Sequence, residues 1–161
     1  FGSSAFISVS REEIDACFAE VIDAIHQEGG LAGVHVCANA EWAVVLESEA
    51  DIVSFDAFSY FDKFMLYPDQ IRRFLENGRI MAWGIVPTGD IEAIERHTAE
   101  TLHAIWEEAA GRIERLGFSR EQVVAQSLIT PSCGTGSLSL SHARRVVEMN
   151  RELSDRIRGK R

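Results

Sequence analysis

The run GVHVC, residues 33–37, places His35 and Cys37 two apart at the end of a short apolar stretch. In a β-strand, residues i and i+2 point to the same face, so an imidazole and a thiol would enter one space. Three readings fit that pair: a metal site, a reactive thiol beside its base, or two alternating core residues. A second cysteine, Cys133, lies in TPSCGTG, where Gly134 and Gly136 permit a tight turn and close approach of a ligand to the backbone. His35, Cys37 and Cys133 together supply an imidazole and two thiols, a soft set that suits zinc. Zinc in catalytic sites usually takes three protein ligands and keeps a position open. Asp56, in IVSFDAF, is placed for a fourth ligand or an acid/base group. It equally fits a strand-end aspartate bonded to a loop or helix N-terminus.

These residues need elements to position them. Ser10 and Glu13 have capping-box spacing ahead of a helix whose apolar stripe is Ile14, Cys17, Phe18, Val21, Ile22 and Ile25, ended by Gly29-Gly30. Cys17 is therefore expected in the core. LAGVHVC reads as a strand, AEWAVVLES as a short helix and ADIVSFDAF as a second strand. DKFMLYPDQIRRFLENG is helical in parts, restarting at Pro68. RIMAWGIVPT reads as a third strand. One long helix is expected over DIEAIERHTAETLHAIWEEAAGRIERLG, with Asp90 as its N-cap and Gly117 as its end. EQVVAQSLITPSCG carries a fourth strand, and LSHARRVVEMNRELSDRIRGK a final helix. Trp42, Phe58, Tyr60 and Trp83 are core or pocket-lining aromatics. His26, His97, His103 and His142 show no partner pattern and are expected on helix surfaces or ends.

A helix followed by four strand–helix units argues for an α/β fold with a parallel sheet. The HxC pair, Asp56, Pro87-Thr88 and Cys133 fall at the C-terminal ends of different strands, where (β/α)8 barrels carry their catalytic residues. Four units make half of such a barrel. The expectation is a single unit over residues 1–161, the C-terminal half of a (β/α)8 TIM barrel. The start FGSSAF, without methionine, fits a piece of something longer. The exposed edges of a half-barrel also suit pairing with a second copy as a homodimer.

Composition narrows the partners. The net charge is −9 with acidic residues spread along the chain, which argues against nucleic acid. The basic residues Arg151, Arg156, Arg158, Lys160 and Arg161 end a helix, where cations suit the macrodipole. No apolar run approaches a membrane span. Three widely spaced cysteines fit a reducing cytoplasm rather than a disulfide framework.

HVC, EADIVSFDAF and TPSCG, in that order over about residues 31–150, resemble the C-terminal catalytic barrel of cobalamin-independent methionine synthase. The resemblance extends to the superfamily that includes uroporphyrinogen decarboxylase and the methylcobamide:coenzyme M methyltransferases. It implies zinc held by His35, Cys37 and Cys133, with Asp56 where the synthases carry glutamate. The implied activity is methyl transfer to a small-molecule thiol, homocysteine or a relative, from methyltetrahydrofolate or a methyl-corrinoid. In the synthases a D-x-H segment after the third matching strand supplies a catalytic histidine. Here WGIVPTGD has none and is closer to the decarboxylase and corrinoid-methyltransferase side. Donor contacts lie partly in the other half of the barrel, so this chain alone is expected not to turn over. The alternatives are a metal-free decarboxylase-like enzyme and a non-catalytic zinc-binding module.

Overall fold

The computed structural model describes residues 10–159; the FGSSAF start, Lys160 and Arg161 lie outside them. Ser10 caps α1 (Arg11–Gln27) through the reciprocal pair its spacing predicts: its Oγ accepts from the Glu13 amide, and its own amide donates to the Glu13 carboxylate. Four strands follow: β1 (Gly33–Val36), β2 (Ile52–Phe55), β3 (Ile80–Val86) and β4 (Ser127–Pro131). All are parallel and lie in the order β1-β2-β3-β4. Between and after them run α2 (Trp42–Leu46), α3 (Ala57–Phe64), α4 (Pro68–Glu76), α5 (Ile91–Arg96), α6 (Ala99–Glu114), α7 (Arg120–Ala125) and α8 (Leu140–Ile157).

Each crossover steps to the next strand in one direction. Right-handed crossovers of that kind put their helices on a single face of the sheet. Burial agrees. Val53, Phe55, Met81, Trp83 and Ile85 are fully buried in the core that also takes in Phe64, Ile71, Leu102, Trp106, Ile113 and Leu153 from the helices. Phe55 stacks on Phe64 at 4.3 Å between ring centroids, and Trp83 meets Trp106 edge-on at 6.2 Å. Of the alternate residues, His35, Ile52, Ser54, Ile80, Leu128 and Thr130 are exposed or half-buried and join no buried cluster among the described residues, whereas Ala82, Gly84 and Val86 of β3 are buried. The sheet therefore has one face covered by helices and a second that is open or half-open along β1, β2 and β4 but closed at β3. Trp42 and Trp83 are core, and Phe58 and Tyr60 pack half-buried against it.

Several elements differ from the sequence expectation. The single long helix is two, because His97 is extended and Thr98 starts α6 with its own reciprocal cap to Thr101. Asp90 caps α5 as expected, accepting from the Glu92 amide. The segment assigned to the fourth strand opens with α7, capped by Ser119 and Gln122, and becomes strand only at Ser127. The second strand stops at Phe55, and α3 starts at Ala57. Cys17 is exposed rather than core. Only Ile22 of the α1 stripe is buried, while Val21 is 60% exposed. The reason is position: α1 lies beside β1, an edge strand, so most of its stripe has no described partner.

The turn from α1 into β1 is tied to β2 by Asp51, which accepts from the Ala32 amide at 2.7 Å and pairs with His26 Nε2 at 2.8 Å. The His26 hydrogen bond, followed by the Ala32 amide, holds the Asp51 carboxyl below its ordinary range. A depressed carboxyl contributes stability at pH values above its unfolded pKa and loses it as pH falls through the folded one. Asp51→Asn is therefore expected to cost about 1 kcal/mol at neutral pH, discounted for partial exposure. The gap from the parent should close as pH drops below about 4. Urea midpoints at stepped pH check this; a gap that stays constant would remove Asp51 from the acid response.

Candidate metal centre

β1 delivers His35 on the open face of the sheet, in register with Ser54 of β2. His35 Nδ1 lies 2.9 Å from Ser54 Oγ. When Nδ1–H donates to that hydroxyl, Nε2 keeps its lone pair free, which is how a metal-ligating histidine is normally oriented. Cys37 follows one residue beyond β1, and Cys133 follows two beyond β4. Both thiols are free and exposed.

β1 and β4 are opposite edges of the sheet. Three strand spacings of ~4.8 Å would hold them about 14 Å apart in a flat sheet. The ligand atoms of His35, Cys37 and Cys133 nevertheless all lie within 4.8 Å of one another. The side chains and the residues that follow the two edge strands together bridge that distance at the C-terminal end of the sheet. The cluster could hold a metal ion, and all three of its residues are exposed.

Asp56 does not join them. Its carboxylate caps α3, accepting from the Ser59 amide at 2.8 Å, so the helix-terminus reading describes its contact. Thr88, from the Pro87-Thr88 pair at the end of β3, is buried and bonded to Ser132 rather than facing solvent. Each remaining histidine has a local partner near a helix end or surface: His26 with Asp51, His97 with Thr101, His103 with Glu107 and His142 with Glu95. The i,i+4 spacing of His103 and Glu107 was visible in the sequence; the Asp51 and Glu95 pairings needed the fold.

Ser54 was not singled out from sequence. Period-two alternation puts it on the face opposite Val53 and Phe55, but its register against His35 comes only from strand pairing.

Fold and cluster together define a parallel α/β protein whose strands present a His–Cys–Cys donor set at their C-terminal ends, the end at which such sheets carry their sites. Compared with known proteins, the chain matches no family model, no curated protein and no solved structure.

Proposed function

We propose that this chain carries the thiol-activating site of a zinc-dependent methyltransferase, methionine synthase-like, whose acceptor is homocysteine or a related small thiol. The observation that carries the reading is the convergence of His35, Cys37 and Cys133 from opposite sheet edges. Zinc bonds of ~2.3 Å to sulfur and ~2.0–2.1 Å to nitrogen set donor atoms about 3.5–3.8 Å apart. Separations of up to 4.8 Å come within side-chain rotation of that spacing, and the donor types are those zinc prefers. The residues fit the ion.

When bound, zinc would favour the thiolate form of a substrate sulfur at neutral pH without redox chemistry. The chain's own residues do the rest. Ser54 orients the His35 ring, the two edge cysteines close the donor set, and Asp56 stays with its helix. Exposure of all three donors leaves an approach for the acceptor. The sequential order of parallel strands, with β1 and β4 at the sheet edges among the described residues, supports the C-terminal half of a (β/α)8 barrel. In that reading a further half supplies contacts to methyltetrahydrofolate or a methyl-corrinoid. Three free thiols suit a reducing cytoplasm.

The test is zinc by mass spectrometry on protein purified without chelator, followed by homocysteine titration of the Co2+-loaded form. About one zinc per chain is expected, with homocysteine adding thiolate-to-cobalt charge-transfer absorption. A folded protein without zinc, or a cobalt spectrum indifferent to homocysteine, would overturn thiol activation.

A further inference from the structure

Cys133 is the donor that has farthest to travel, and the residue before it is among the most constrained polar groups in the chain. Ser132 is 4% exposed and Thr88 6%. The Ser132 amide donates to the Val86 carbonyl at 2.8 Å. Its Oγ accepts from the Thr88 amide at 3.1 Å and lies 3.0 Å from Thr88 Oγ1. Beneath it, Gly84 lets the chains close: a Cβ there would lie 2.8 Å from Ser132 Cα and 2.4 Å from the Phe55 carbonyl oxygen. Buried hydroxyls are costly unless hydrogen-bonded, and these two are bonded to one another, so losing either deprives its buried partner of a bond. Immediately beyond this tie the backbone leaves the sheet into a run containing Gly134 and Gly136, and Cys133 is exposed. Neither glycine has a neighbour within 4 Å of where its Cβ would be, so that run is not held by packing at those points.

We propose that Thr88 and Ser132 are positioning residues for Cys133, pinning the start of its loop so that the thiol meets His35 and Cys37 across the open face. The role rests on the metal-site reading for its purpose, but not for its geometry. Thr88 acts through Ser132, and Ser132 through the backbone of the next residue. Neither touches the ion or the acceptor.

The test uses a Cys17→Ser background, so that Cys37 and Cys133 are the two remaining thiols, and compares Thr88→Val, Thr88→Ser and Ser132→Ala. Thr88→Val keeps the shape and removes the hydroxyl; Thr88→Ser keeps the hydroxyl. Circular dichroism establishes that each is folded. The first readout is bridging of the two thiols by dibromobimane in metal-free protein. The second is Co2+ affinity with the intensity of thiolate charge transfer. Thr88→Val and Ser132→Ala are expected to bind Co2+ more weakly, by up to about 10-fold, the low end of what is lost when a direct outer partner of a metal ligand is removed, because they act one step further out. Their spectra should show one thiolate fewer and slower bridging, and Thr88→Ser should restore both. Unchanged affinity and bridging in folded Thr88→Val and Ser132→Ala would overturn the positioning role while leaving the metal site intact. No Co2+ binding in any protein, with bridging still dependent on the Thr88 hydroxyl, would overturn the metal reading and leave the positioning role standing.

Discussion

Cys133→Ser is expected to strip the protein of zinc, from about one per chain to a small fraction of that after dialysis against a weak chelator. A serine hydroxyl is not deprotonated at neutral pH and is a hard donor, so the substitution deletes a ligand rather than exchanging one. His35 and Cys37 would remain, but both come from one end of one strand, and two donors hold zinc far more weakly than three. Removing only an outer partner already costs about 10- to 100-fold in affinity; removing a ligand should exceed that. His35→Ala should behave alike. Two controls sharpen the result. Cys17→Ser, on the exposed face of α1, should leave zinc unchanged. Asp56→Asn should also retain it, because the carboxylate serves the Ser59 amide and asparagine caps a helix equally well. Loss of zinc in Asp56→Asn would make Asp56 a fourth ligand. Full zinc in Cys133→Ser would end the three-donor site.

Gly84→Ala is expected to be the most damaging single-methyl change in the sheet. The new Cβ would sit 2.4 Å from the Phe55 carbonyl oxygen and 2.8 Å from Ser132 Cα, both backbone atoms that no side-chain rotation can move aside. Gly84 is on β3, one of the two interior strands, where the register against β4 shifts between Gly84 and Val86. Relief therefore requires parting β3 from β2 or from β4, and with it the ladder or the end of β4 that leads to Cys133. Overpacking a core costs about 1–3 kcal/mol, and a clash against backbone on two sides belongs at the upper end. At about 3 kcal/mol, a domain of this size should lose roughly 6–12 °C in melting temperature. Metal affinity should fall beyond what the stability loss explains, since Ser132 is one of the atoms displaced. A melt within about 2 °C of the parent would mean that the strands separate there at little cost.

Much of the fold is legible in the sequence. Ser10 with Glu13, Asp90 before IEAIER and Pro68 at the restart of α4 are local signals, and each acts as its spacing says. The misread stretches share a cause. DIEAIERHTAETLHAIW keeps an apolar period across Thr98, so periodicity alone joins what a cap divides. EQVVAQSLIT is apolar enough for strand, but Ser119 and Gln122 form the reciprocal cap that makes its first part helix. Cys17 carries the right period on a helix that lies beside an edge strand, and no local pattern reports how much of its stripe that position leaves exposed.

The sequence by itself determined the donor types, the two-residue step from His35 to Cys37, and the alternation that implies a parallel sheet. These are properties of adjacent residues and short periods. Only the tertiary structure decided that Cys133, nearly a hundred residues further on, comes within 4.8 Å of them, that Asp56 spends its carboxylate on a helix terminus, and that Ser54 and the Thr88–Ser132 pair stand behind the donors. Strand order, register and the path of the loops set those distances, and all three are products of packing a whole sheet against its helices rather than of any local run of residues.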